Sequence, residues 1–329
     1  MAARIIPSIL ASVVCVLGLT GTAKAETTYP VTIEHAFGTT VIESKPVRIA
    51  TVNWSNHEVP LALGVVPVGM AAANFGDDDG DGVLPWVAAR LEDLGAETPV
   101  LFDEGDGIDF EAVAATQPDV ILAAHSGFSE QDYQILSQIA PTIAYPDLPW
   151  TTKWRDMIRM NSAGMGMAEE GDALIADLEN LIAQTVSEHP AIAGKTAMFV
   201  THLDPTDLSR IPFYTENDTR VAFLRDLGFA SPSIISELST TGRFAGEVSA
   251  EQIDLLDDVD VIVTYGTDDL VAQLSSYMLT KRMPAIAGGA VVVLRNDPLG
   301  TAAHPSPLSI PYLIEDYVTL LSEAAAKAE

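Results

Sequence analysis

Glu111 and Glu251 are the residues whose setting points most directly to chemistry. Residues 109–122 read DFEAVAATQPDVIL and residues 249–263 read SAEQIDLLDDVDVIV. Each stretch runs from a polar residue through a glutamate and a short apolar-periodic segment to Asp-Val-Ile. The glutamates are 140 positions apart, and Asp119 and Asp260 are 141 apart. Asp109 and Ser249 are natural helix N-caps, each with its glutamate two residues on. An acid in a first helical turn gains roughly 0.3–1 kcal/mol from the helix dipole. That accounts for one such glutamate, but less well for the same placement before the same strand in both halves. Two exposed carboxylates at a fixed separation suit docking onto basic side chains of another protein.

A second group of residues fits a binding cleft. In α/β sheets, ligands bind beyond the carboxyl ends of strands. The four tryptophans, Trp54, Trp86, Trp150 and Trp154, fall at strand ends, in loops or at the start of a helical stretch. His125, Ser126 and Phe128 follow an apolar run. Phe213 and Tyr214 read as loop residues of the second half, with Phe244 later and Tyr265 at a strand end. Any one of these suits core packing, but together they suggest an aromatic-lined cleft. Arginines are few, and Arg90, Arg155, Arg210, Arg220, Arg243 and Arg295 fall in or beside the same loops. Arginine matches carboxylate and chelate oxygens bidentately, so two or three are expected in the pocket.

Other motifs carry less. Asp77, Asp79, Asp81 and Gly82 resemble the start of a calcium loop, but Ala88 stands where a bidentate glutamate is needed, so a polar rim loop is expected. The six histidines show no metal-ligand spacing. Residues 189–196 end like a phosphate loop but lack its first glycine and precede a strand. No G-x-S-x-G elbow and no paired acid and base stand out, so the chain reads as a binder rather than an enzyme.

The elements that would position these residues are legible as β-branched runs at 48–52, 65–69, 120–124, 142–145, 196–201, 261–265 and 291–295. Helical patterns at 56–63, 130–139 and 220–227 lie between them. Strands alternating with helices indicate α/β layers with mainly parallel sheets. From about 153 to 188 only helical spacing recurs. It predicts one long helix or a broken pair, interrupted near Gly164 and Gly166 and ended by His189-Pro190. The expected division is a leader at 1–25, an N-terminal lobe at 26–150, a helical connector at 151–190 and a C-terminal lobe at 191–329. Leu63-Gly64-Val65 and Leu227-Gly228-Phe229 each read as a helix end closed by a left-handed glycine.

The chain has 329 residues, 48% of them hydrophobic, which is enough for two lobes with real cores. Arg4, an apolar run and Ala23-Lys24-Ala25 have the order of a secretory leader cleaved before Glu26. Cys15, the one cysteine, lies inside it, and Ser12-Val13-Val14 does not match a lipid attachment site. An exported chain without cysteine fits a bacterial periplasm. Those 25 residues hold two cations and no acid, so their removal takes the formal charge from −29 to −31. Such a field disfavours nucleic acid and anionic membrane surfaces.

The sequence resembles the periplasmic substrate-binding proteins of ABC importers for ferric siderophores and related iron chelates. The resemblance rests on HAFGTT at 35–40, PVRI at 46–49, LALGVVPVG at 61–69, LPWV at 84–87 and IDFE at 108–111. It continues in QPDVIL at 117–122, IAPT at 139–142, WRD at 154–156, VSAE at 248–251 and SPLS at 306–309. It implies two Rossmann-like lobes bridged by a long helix, with limited closure on binding. It also implies a monomer that delivers its ligand to an inner-membrane permease, with Glu111 and Glu251 docking one on each permease subunit. The cleft would draw on Trp54, Trp86, Arg90, His125, Trp154, Tyr214, Arg220, Phe244 and Tyr265. Iron would be held by the chelator, with no protein-bound cofactor. The acidity favours a neutral ferric hydroxamate, while ferric citrate would depend on local arginines. Haem or cobalamin is the alternative ligand.

Overall fold

A computed structural model describes residues 27–201, 203, 207–267 and 269–328. The predicted leader, Cys15 and His202 lie outside them. The N-terminal lobe opens with a hairpin, β1 (Val31–His35) and β2 (Gly38–Ile42). Its sheet follows with β3 (Ile49–Thr51), α1 (Glu58–Ala62), β4 (Gly69–Ala71), α2 (Pro85–Asp93), β5 (Val100–Phe102), α3 (Phe110–Ala115), β6 (Val120–Leu122), α4 (Glu130–Ile139) and β7 (Thr142–Ile143). The strands are all parallel, in the order β5-β4-β3-β6-β7. β3 and β6 are buried on both faces, as continuous apolar runs in a covered parallel sheet must be.

The connector is a broken pair, α5 (Trp154–Gly164) and α6 (Ala168–Ser187). Gly166, at φ +68°, makes the break. The C-terminal lobe holds β8 (Ala197–Val200), β9 (Arg210–Tyr214), α7 (Thr219–Asp226), α8 (Ser233–Ser239), β10 (Ala245–Ser249), β11 (Val261–Tyr265), α9 (Leu270–Ser276), α10 (Pro284–Gly288), β12 (Val291–Leu294) and α11 (Ser309–Ala325). Its order, β10-β9-β8-β11-β12, repeats that of the first lobe. β8, β11 and β12 are parallel, while β9 and β10 form an antiparallel edge.

Three expectations need correction. Residues 65–68 are not a strand, because the Val65 N–H closes α1 on Pro60 and Pro67 has no N–H for a ladder, so β4 begins at Gly69. Phe213 and Tyr214 are not loop residues but the end of β9, whose strand pattern Pro212 masks, as Gly246 masks that of β10. Glu251 opens a kinked 3₁₀ segment, Ala250–Leu256, rather than an α-helix, so the dipole argument applies to Glu111 only.

The doubled Asp-Val-Ile has a local cause. Asp119, before β6, accepts from the N–H groups of Val47 (2.9 Å) and Arg48 (3.0 Å) at the entrance to β3. Asp260, before β11, accepts from Thr196 N–H (2.8 Å) at the entrance to β8. In each lobe the carboxylate thus joins the starts of the two central parallel strands. The glycine caps are also doubled: Gly64 (φ +81°) and Gly228 (φ +96°) let the chain turn back after α1 and α7.

One buried acid ties the lobes together. Glu58, in α1, is 1% exposed. Its Oε1 accepts from Trp86 Nε1 (3.0 Å) on α2. Its Oε2 accepts from Ser306 Oγ and from the N–H groups of Leu308 (3.0 Å) and Ser309 (3.2 Å), where α11 begins. Burial pushes this carboxyl up, and the four donors pull against that shift. The start of a 17-residue helix is a favourable place for it. Glu58→Ala would leave Trp86 Nε1 and the Leu308 N–H without an acceptor, while Ser306 and Ser309 would keep only their bonds to each other, and it is expected to cost about 2–4 kcal/mol of stability. Urea unfolding measures this; a loss below ~0.5 kcal/mol would remove the clasp from the account.

Candidate functional site

A cavity of about 690 Å³ lies between the lobes, within the range typical of small-molecule sites. The first lobe supplies the turns after its central strands. Asn53 and Trp54 follow β3, Phe75 follows β4, Glu104 follows β5, and His125 follows β6. Trp150 lies in the loop before α5. Its indole rests where a side chain on residue 127 would be, since a Cβ on Gly127 would meet Trp150 Nε1 at 1.9 Å. The second lobe supplies Tyr214 from β9, Arg220 from α7, Phe244, Tyr265 from the end of β11, and Thr301 and His304 from the segment after β12.

Backbone strain collects here. Four non-glycine described residues have positive φ, and three of them, Asn53 (+61°), Ser55 (+54°) and Trp150 (+62°), line this cavity. Such conformations cost on the order of 1–3 kcal/mol each and persist where the surroundings over-determine them.

The polar groups are closely arranged. Arg220 holds Asp218 by two bonds (Nε 2.9 Å, Nη2 2.6 Å), and Asp218 is 1% exposed. Burial acts to lower Arg220, but Asp218 outweighs it and keeps the guanidinium charged. The guanidinium lies 3.9 Å over the Tyr214 ring, with Tyr265 among the groups that hold its charge. Among the described lining residues Arg220 is the only arginine, so the expected two or three are not found.

His125 and His304 meet across the lobes, Nε2 to Nε2, at 2.9 Å. His125 Nδ1 lies 3.1 Å from the Thr152 carbonyl oxygen and must donate to it. His125 Nε2 is therefore the acceptor and His304 Nε2–H the donor. This leaves the buried His304 Nδ1 without a partner among the described residues, as is His57 Nδ1. Burial lowers His57 and His125 to about 4. Burial, then His125, then Arg220 hold His304 well below its ordinary value. Trp54 and Trp150 pack edge-on against His304 and His125, which makes a continuous aromatic wall.

Of the nine residues expected in the cleft, Trp54, His125, Tyr214, Arg220, Phe244 and Tyr265 come together. Trp86, Arg90 and Trp154 do not. Trp86 belongs to the Glu58 clasp, and Arg90 closes the end of α1 by donating to Leu61 O (2.9 Å). Trp154 joins α5 to α7 by donating to Asp226 (2.9 Å), under the Arg155 guanidinium. Among the other arginines, Arg155 pairs with Glu179 and Asp226, and Arg210 pairs with Glu247. Asn53, Phe75, Glu104 and His304 were not read as cleft residues. Position directly after a strand could have found Asn53, but nothing local marks the others. Asp77, Asp79 and Asp81 do converge, at the surface of a rim loop whose N–H groups they bind. Glu111 and Glu251 are both exposed.

Comparison with known proteins points one way. The periplasmic binding protein family matches residues 49–298. The structure of PiaA from Streptococcus pneumoniae TIGR4 in complex with ferrichrome is 43% identical. It covers 91% of this chain and 100% of that one, with a TM-score of 0.87. The probable siderophore-binding lipoprotein YfiY of Bacillus subtilis (strain 168) is 27% identical over 269 residues, 78% of each chain. The Fe(3+) dicitrate-binding periplasmic protein FecB of Escherichia coli (strain K12) is 31% identical over 121 residues, 35% of each.

The histidines make the wall acid-labile. His57 and His125 titrate near 6.5 when unfolded and near 4 when folded, so the folded state binds fewer protons between those values. Stability is then full above pH 6.5 and falls toward pH 4, by about 1.4 kcal/mol per pH unit for each histidine. The imidazole resonances of both should keep neutral positions in an NMR titration to below pH 5. Titration of His125 near 6.5 would contradict its burial against Thr152.

Proposed function

The chain belongs to the periplasmic binding protein family, and on that premise we propose that it captures a ferric siderophore of the hydroxamate class and delivers it to an ABC permease. The observation that carries the choice of ligand is the charge of the cavity. The one arginine among its described lining residues is held by Asp218, and a second carboxylate, Glu104, lines the same space. An anionic ferric citrate would meet little free positive charge there, whereas an uncharged ferric hydroxamate would meet aromatic faces and the Arg220 guanidinium stacked on Tyr214. The likeness to a chain solved with ferrichrome supports this ligand class. Haem is less well supported, because the His125 Nε2 lone pair that would ligate it already receives the His304 proton. Iron stays within its chelator, and the protein acts by binding.

On this reading the leader exports the chain, which works as a monomer in the periplasm, divided near residues 150 and 190 into lobe, connector and lobe. Trp54, His125, Tyr214, Arg220, Phe244 and Tyr265 are the ligand-contacting set. Glu111 and Glu251 dock the permease, one carboxylate from each lobe.

Two experiments test this. Ferrichrome, ferric dicitrate and haem are titrated into the mature protein, following tryptophan fluorescence with correction for absorbance. Saturable quenching by ferrichrome is expected, and it should survive Trp86→Phe and Trp154→Phe but fall in Trp54→Phe and Trp150→Phe. Quenching by ferric dicitrate alone would overturn the ligand class. For docking, the Glu111→Ala/Glu251→Ala double variant should bind the chelate as the parent does and support little or no uptake by cells. Normal uptake would remove the docking role.

A further inference from the structure

Glu104 has no task in the binding of an uncharged chelate. It follows β5 in the loop leading to α3, half-buried on the cavity wall. Its carboxylate receives the Asn53 backbone N–H at 3.0 and 3.1 Å and Asn53 Nδ2 at 2.8 Å. No lysine, arginine or histidine among the described residues forms an ion pair with it. Asn53 is held in a left-handed conformation to make these contacts, directly after the central strand β3. Burial raises the Glu104 carboxyl, and the Asn53 bonds pull it back. A carboxylate fixed by strained backbone and aimed into a ligand cavity lacks one thing, a cation.

The rest of the cavity sharpens this. Arg220 and Asp218 cancel, the wall histidines are neutral at pH 7, and Asp132 adds a second acid at the rim. The described residues of the site therefore carry net negative charge, within a chain of formal charge −29. Charges in a partly dry cleft interact several-fold more strongly than in water. We infer that the preferred ligand is a ferric hydroxamate carrying a protonated amine, and that Glu104 is the residue that receives its ammonium group. This inference rests on the hydroxamate reading above and specifies the substrate within it. Glu104 then selects among chelates that share one iron core, while Arg220 and the aromatic wall treat them alike.

Ferrioxamine B, which bears a pendant ammonium, and its N-acetylated form, in which a neutral amide replaces that ammonium on the same iron core, separate the two ideas. Both are titrated by calorimetry into the parent protein and into Glu104→Gln, with ferric dicitrate as the anionic control. Thermal melting of both proteins verifies that the variant is folded. The parent should bind the amine form at least about tenfold more tightly than the acetylated form, the ratio that ~1.4 kcal/mol gives. In Glu104→Gln that ratio should fall toward one. Equal binding of both forms by the parent would overturn the role of Glu104 and leave the hydroxamate reading standing. A preference that persists unchanged in Glu104→Gln would do the same. Binding of ferric dicitrate with no binding of either hydroxamate would overturn both.

Discussion

The geometry of the cleft depends on a single buried carboxylate. Among the described residues Glu58 has no cationic partner, so a charge there is tolerable only while four donors surround it. Those donors come from α2 in the first lobe and from the head of α11 beyond the second sheet. Neither lobe can swing away without stranding the acid. The contact of Trp154 and Arg155 with Asp226 and the bond from Gly76 N–H to Asn296 (2.8 Å) restrain the same relation elsewhere. The aromatic wall and the histidine pair can therefore be assembled before any ligand arrives. Pre-organisation of this kind lowers the ordering penalty of binding.

The two lobes share a plan and differ in one place. Both arrange five strands in the same order, and both use an aspartate to join the entrances of their central strands. The difference is the antiparallel edge β9–β10. It carries Tyr214 to the cleft and leads through Asp218 into α7, where Arg220 begins the first turn. The departure from symmetry thus furnishes the polar half of the site, while the conserved order furnishes its floor.

Much of this was legible in the sequence, and the failures have physical causes. The buried parallel strands declared themselves through β-branched runs, and α4 was read to the residue. Pro212 and Gly246 concealed β9 and β10, because each weakens the pattern that tertiary pairing later overrides. Trp54 and His125 could be read as lining the cavity because they follow strands, and Tyr265 because it ends one, whereas Tyr214, Arg220 and Phe244 were marked only by residue type. Trp86, Arg90 and Trp154 were misplaced because a large aromatic or a long cation in a loop-like stretch has the same signature whether it meets a ligand or a neighbouring helix. Glu58 and His304 were missed for a related reason. Their partners lie 248 and 179 positions away, and a polar residue amid apolar ones gives no sign of what will satisfy it.

The clasp at Glu58 also bears on traffic at the membrane. A carrier whose lobes are pinned shows nearly the same outline whether its cleft is vacant or filled. A permease that grips the outer faces of such a carrier distinguishes the two states weakly, so vacant copies compete with filled ones for the same landing site. On the proposed reading, the ratio of carrier to cargo, rather than any change in the carrier's outline, would then decide how often a filled copy reaches the permease.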